Sequence, residues 1–246
     1  ESYRTASAEV DRYLSTWMQS PTGTWYTNQK DEPEGLPDHW WPQDYWLLDS
    51  DEKRRQYGIP PIDHAVYTDK NAELITAYVA AAVAFDNQDY LHKATKATNV
   101  LMQERLQDDG WVRQSIDTQQ MAADQRVHPH TEELRPFLRP QASLGDALLA
   151  LYQATGNEYW LKQASSLADA MLTTLYDNKN KGFYATTPDD TAALIPLRKP
   201  LEDNAAAASF FYDLYILSKQ DTYKTIAEET IRAVATPEIL NREGKM

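Results

Sequence analysis

The stretch Ser143–Thr187, SLGDALLALYQATGNEYWLKQASSLADAMLTTLYDNKNKGFYATT, decides the fold. Its opening, Ser143 to Thr155, is rich in Ala and other apolar residues, the composition of a buried helix. Gly156-Asn157-Glu158 then supplies a helix stop and N-cap chemistry in one short turn. Beyond it Trp160, Ala164, Leu167, Ala168, Met171 and Leu175 recur at steps of three and four, so a second, amphipathic helix follows. A turn this short forces the two helices antiparallel. Asp177-Asn178 breaks the second helix before Gly182-Phe183-Tyr184.

The same pattern recurs along the chain, each copy anchored on a tyrosine that opens an amphipathic helix. Tyr90 leads Ala94, Ala97 and Leu101 to Asp108-Asp109-Gly110-Trp111, and Tyr223 leads Ile226, Ala227, Thr230, Ile231 and Val234 to Pro237. The N-terminal copy runs from Tyr3 through Val10, Tyr13, Leu14, Trp17 and Met18 to Gly23, Trp25 and Tyr26. Ala-rich helices precede the later copies at Asn71–Phe85, Ser143–Thr155 and Asn204–Ser218, across short turns at Asp86-Asn87, Gly156-Asn157 and Lys219-Gln220. A buried helix followed by a more polar one, entered through a long loop, is the layout of an all-α (α/α) toroid. The first helix of each pair lines the inner ring, and the long loops gather at the mouth. A plain α-solenoid is the alternative, but Tyr90, Tyr159 and Tyr223 lie 64 to 69 residues apart, too far for short solenoid repeats. One outer helix plus three pairs makes about seven main helices, so a partial ring is expected, in one domain over 1–246 with a long insertion at about 28–69.

Composition narrows the function. With 24 Lys+Arg against 37 Asp+Glu the net charge is −13, which repels phosphate backbones and excludes nucleic acid as a partner. No apolar run reaches the ~18–20 residues of a membrane helix, so no membrane insertion is expected. The absence of Cys removes disulfides, thiolate metal sites and Cys nucleophiles, and suits an extracytoplasmic compartment as well as the cytoplasm. A first residue Glu1 rather than Met predicts processing or truncation upstream. There is no nucleophile elbow and no Gly-rich nucleotide fingerprint, and no cofactor is expected.

Four segments carry a family resemblance: Gly23-Thr24-Trp25-Tyr26, Tyr67-Thr68-Asp69-Lys70-Asn71, Leu148–Gly156 (LLALYQATG) and Lys181–Asp190 (KGFYATTPDD), the last continuing to Arg198-Lys199-Pro200. Their order resembles the barrel region of thioredoxin-domain proteins of the spermatogenesis-associated protein 20 type. The resemblance implies a six-hairpin glycosidase-like toroid over about Gly23 to Leu240. It also implies Asp-Trp-Asn-Gly where Asp69-Lys70-Asn71-Ala72 stands, an Asp-Asp pair where Arg139-Pro140-Gln141-Ala142 stands, and Pro-Ser-Gly-Asn-Ser where Ala205–Ala208 stands. The resemblance also implies a thioredoxin-like domain upstream, which is expected to be absent here, and several mouth positions are neutral or small.

Glycoside chemistry needs two carboxyls across the mouth, one of them held protonated. Asp69 and Asp203, each just before an inner helix, are the candidate catalytic pair, although Asp is also favoured there as an N-cap. The aromatic and acidic loop Asp31–Asp69 supplies Trp40, Trp41 and His64 as candidate sugar-binding groups, joined by Asp189, Asp190 and Arg198. The same aromatics could instead form the loop's own small core. His128-Pro129-His130 with Glu132 and Glu133 lacks metal-site spacing and reads as a solvated loop, so no metal is expected. Asp108–Trp111 and Asp177–Lys181 read as turns at the closed face.

Two functions fit. One is a carbohydrate- or polyol-recognising glycosidase- or epimerase-like domain, with catalysis retained or lost. The other is a non-catalytic scaffold or accessory subunit whose open arc is covered by a protein partner.

Overall fold

The computed structural model describes residues 2–115, 135–187, 197–237 and 239. The chain divides into two compact units, Glu1–Val66 and Tyr67–Met246. Among the described residues no helix is long and apolar enough to cross a membrane.

The first unit opens with helix α1 (Ser2–Tyr13), which passes into a single π-helical turn at Leu14–Met18. The apolar face expected on α1 is not a core face: α1 buries no residue, and Tyr3 is 84% exposed. Met18 and Trp25 are the buried members of that copy, and an isolated bridge pairs Gln19 with Trp25. The aromatic loop that follows is closed at its base by an antiparallel ribbon, β1 (Asn28–Gln29) against β2 (Ile62–Asp63). It carries two short helices, α2 (Pro42–Trp46) and α3 (Asp51–Arg55). Tyr45 forms its small core, 4% exposed, with its hydroxyl donating to the Gly58 carbonyl at 3.1 Å.

The second unit is built of hairpins, as the repeat predicts. Helices α4 (Thr68–Phe85), α6 (Leu138–Thr155) and α8 (Leu201–Ser218) pack side by side as an inner layer. Helices α5 (Gln88–Arg105), α7 (Glu158–Thr174) and α9 (Asp221–Val234) lie outside them, each antiparallel to its partner. The turns use left-handed C-caps at Asp86, Gly156 and Lys219, and the Asn87 and Asn157 side chains accept N–H groups of the next helix.

Two details of register differ from the sequence reading. The inner helices begin at Thr68, Leu138 and Leu201 rather than at Asn71, Ser143 and Asn204, because the first turn of each carries polar side chains. Its N–H groups have no partner within the helix in any case, so Pro140 fits there at no cost. The aromatic buried at the third position of each outer helix is Tyr90, Trp160 and Tyr223; Tyr159 is 46% exposed, so Trp160 takes the anchoring position in that copy.

Helix α6 is central, flanked by α4 and α8 and covered by α7. Leu138, Leu144, Leu148 and Leu151 are fully buried on it, each contributing about 1.5–3 kcal/mol of apolar burial. Gly145 lets α8 approach: a Cβ there would lie 2.5 Å from the Phe210 ring. Phe210 packs edge-on against Phe211, which stacks on Phe183 at 5.4 Å.

One buried amide recurs at the fourth residue of each inner helix: Asn71, Gln141 and Asn204. Each donates to the carbonyl four residues back, at Tyr67, Phe137 and Pro200. Gln141 also pairs with both backbone groups of Val112, accepting from N–H at 2.8 Å and donating to C=O at 2.7 Å. Asn204 does the same to Phe183, at 2.7 and 3.0 Å. Val112 and Phe183 end the turns Leu106–Val112 and Tyr176–Phe183 that follow the outer helices. Those turns therefore sit at the end where the inner helices begin, which corrects their expected placement at the closed face.

Asn204→Ala leaves the Phe183 N–H and C=O unpaired in the core and is expected to cost about 2–4 kcal/mol in urea unfolding. Gly145→Ala is expected to cost about 1–3 kcal/mol by collision with Phe210, an effect that Gly145→Ala combined with Phe210→Leu should relieve.

Candidate functional site

The clamped turns hold the first turns of α4, α6 and α8 together. Thr68 N–H donates to the Gln114 carbonyl at 2.9 Å and its hydroxyl to the Arg113 carbonyl at 2.5 Å. Leu138 N–H donates to Ala185 at 2.9 Å, and Ala185 N–H to the Arg198 carbonyl at 2.8 Å. Each turn is thus gripped by two successive inner helices, and the side chains on those first turns converge.

At the centre is Arg139, the second residue of α6. Its guanidinium donates to Glu73 of α4 at 3.0 Å and to Glu202 of α8 at 2.8 Å, and lies 3.6 Å from Asp203. These carboxylates raise the arginine's pKa, while their own pairing lowers that of Glu73 against the opposing effect of its burial. Lys70 makes a further ion pair with Glu73 at 3.3 Å.

Asp69 is the second residue of α4 and Asp203 the third of α8; both belong to the helices rather than preceding them, and neither is the N-cap, a place held by Tyr67 and Pro200. Asp69 is 9% exposed, and its Oδ1 accepts from the Gln114 side-chain amide and from the Lys70 N–H, each at 2.8 Å. Burial raises the pKa of the Asp203 carboxyl from its ordinary value. Arg139 opposes that rise, and the charges of Glu202 and Asp69 add to it. The charge of Asp69 thus reaches the Asp203 carboxyl, which lies 3.6 Å from Arg139.

The other expected site residues are placed differently. Arg198 is exposed on the segment leading to α8. Trp40, Trp41 and His64 belong to the first unit. There Trp40 packs on Tyr57 at 4.9 Å, His64 stacks on Tyr26 at 4.4 Å, and Trp41 is 73% exposed. Asp189, Asp190 and the His128–Glu133 segment lie outside the described residues. Among the described residues no group of three or more His, Cys, Asp or Glu is arranged to hold a metal ion.

The sequence reading missed Arg139, and it missed Asp146 and Asp213 as well. Arg139 and Asp146 lie two turns apart on the narrow stripe that α6 leaves accessible. Burial pushes the Asp146 carboxyl up to about 7, with a further rise from the charge of Asp213 on α8. Periodicity offered one signal: both break an otherwise buried helix at a spacing of seven.

No family model matches the chain. An uncharacterized protein of Caenorhabditis elegans is 27% identical over 186 residues, covering 74% of this chain and 25% of that protein. Solved structures match more broadly. A family GH76 α-mannanase from Bacteroides thetaiotaomicron superposes with a TM-score of 0.58 at 15% identity, over 72% of this chain and 47% of its own. Cellobiose 2-epimerase from Spirochaeta thermophila gives 0.63 at 17% identity, over 95% and 54%. A family 105 glycoside hydrolase from C. acetobutylicum gives 0.65 at 11%, over 94% and 57%. The chain spans about half the length of those structures and a quarter of the C. elegans relative. The fold is that of the six-hairpin, glycosidase-like (α/α) toroids, present here as a partial ring.

Asp146 gives a test with a defined sign. Its pKa is raised in the folded state, so its contribution to stability is full below the unfolded value and is lost as pH rises through about 7. Asp146→Asn is therefore expected to stabilise the protein by about 1–2 kcal/mol at pH 8 and to change little at pH 4, as read by thermal melts across that range.

Proposed function

We propose that this chain is a carbohydrate-recognising toroid domain whose mouth carries Asp203 as proton donor and Asp69 as its partner carboxyl. The observation that carries the reading is their placement in the first turns of α4 and α8, with burial raising the pKa of the Asp203 carboxyl from its ordinary value. Of two carboxyls, the one whose pKa is raised is the better proton donor to a glycosidic or ring oxygen, while the other accepts a proton or stabilises developing positive charge. Gln114 and the Lys70 N–H fix Asp69 in one orientation for that role. In this reading Asp189, Asp190 and Arg198 are sugar-binding groups of the second unit and Trp40, Trp41 and His64 those of the first, where the 73% exposed Trp41 ring offers an apolar face of the kind that stacks on a pyranose. The order of the Gly23–Tyr26, Tyr67–Asn71, Leu148–Gly156 and Lys181–Asp190 segments supports membership of the spermatogenesis-associated protein 20 type. The mannanase, epimerase and glycoside hydrolase activities of the structural neighbours favour glycan or polyol substrates.

A non-catalytic scaffold is the second reading. It is favoured by the exposed inner-layer side chains Val83 at 68%, Tyr212 at 45% and Ile216 at 43%.

Screening against neutral and acidic oligosaccharides, with product analysis by NMR, separates the two. Asp203→Asn is expected to retain glycan binding and lower turnover at least ~100-fold, and Trp41→Ala to weaken binding by about 1–2 kcal/mol. Absence of binding to every glycan would leave the scaffold reading.

A further inference from the structure

Resting on the carbohydrate reading above, we infer that the mouth is a charge filter that takes neutral glycans and turns away uronate-bearing ones, and that Glu73 and Glu202 set it by occupying Arg139. Recognition of an anionic sugar needs a cation with donors to spare, best a guanidinium that can meet a carboxylate with two parallel hydrogen bonds. Arg139 is the cation placed at the centre of the converging helix starts, and both of its terminal nitrogens are already committed to carboxylates at 2.8 and 3.0 Å. A third carboxylate, Asp203, lies 3.6 Å away. Lys70 is engaged with Glu73. Among the described residues at the starts of α4, α6 and α8, four carboxyls, those of Asp69, Glu73, Glu202 and Asp203, stand with two cations, Arg139 and Lys70, and a further anion meets like charge there. Arg198 does not reverse this balance. It is exposed, and solvent and salt screen an exposed charge within about 8 Å at physiological ionic strength.

The arrangement is also reversible by design. Glu202 is 82% exposed and Glu73 42%, so neutral amides can replace both without disturbing the core, and Arg139 then regains its donors.

The test uses the full chain and three hexasaccharides of equal length: mannohexaose, cellohexaose and hexagalacturonate, titrated calorimetrically at low and at physiological salt. At least one neutral hexamer is expected to bind, with hexagalacturonate at least ~10-fold weaker at low salt and the gap narrowing as salt rises. Glu73→Gln combined with Glu202→Gln is expected to strengthen hexagalacturonate at least ~3-fold while leaving the neutral hexamer within ~2-fold, and adding Arg139→Gln should abolish that gain. Hexagalacturonate binding to the unaltered protein as tightly as the neutral hexamers would overturn the filter and leave the carbohydrate reading standing. A double variant with no gain would overturn the role given to Glu73 and Glu202. If none of the three bound, the filter and the carbohydrate reading beneath it would fall together.

Discussion

Everything at the mouth depends on a side-chain amide that a helical pattern would place anywhere. Gln141 and Asn204 each pair with the N–H and C=O of one residue in the turn before their helix, mimicking a strand neighbour. A turn that enters a helical core brings backbone polar groups with it, and these cost free energy unless paired. An amide carries both a donor and an acceptor, so one side chain satisfies both groups. Leu in either place would leave two orphans, and a carboxylate would satisfy only the N–H while burying a charge. The N–H groups of Thr68 and Leu138 then take carbonyls two residues further along the same turns. Each turn is fixed from both sides, and successive hairpins are stitched at one end.

That stitching explains why charge collects where it does. The first turn of a helix tolerates polar side chains because its own N–H groups face outward, and it favours negative charge. Helix starts held side by side bring together Asp69 and, a turn further on, Glu73 of α4 with Glu202 and Asp203 of α8, a costly gathering of like charge. Arg139 offsets it from the central helix, reaching α4 on one side and α8 on the other. The arginine is therefore as much a part of the architecture as of any chemistry at the mouth. Its competition with burial leaves the Asp203 carboxyl raised rather than lowered.

The hairpins were legible in the sequence because their signals are local. Steps of three and four, Asn87 and Asn157 as caps, and turns too short to cross the molecule fix an antiparallel pair without any knowledge of its neighbours. The helix starts at Thr68, Leu138 and Leu201 were less legible, since their first turns are polar and look like loop. The anchor of the third copy slipped by one residue because Tyr159 and Trp160 are adjacent aromatics, and only packing distinguishes them. Asp69 and Asp203 could be singled out as acidic residues near helix starts. Arg139 could not, because its partners Glu73 and Glu202 are 66 and 63 residues away in sequence.

Exposure along the inner layer follows from position in the row. Helix α6 has a neighbour on each side and keeps only a narrow accessible stripe, on which Arg139 and Asp146 stand. Helices α4 and α8 leave broader faces, with Glu73, Ala77, Ala80 and Val83 on one and Glu202, Ala205, Ser209 and Tyr212 on the other. Both faces are charged at the helix starts and small in the middle; toward the far end α4 exposes Val83, while α8 exposes Tyr212 beside Asp213. Small side chains let backbones approach closely, whereas charges at the helix starts have to be paired, as Arg139 pairs those of Glu73 and Glu202.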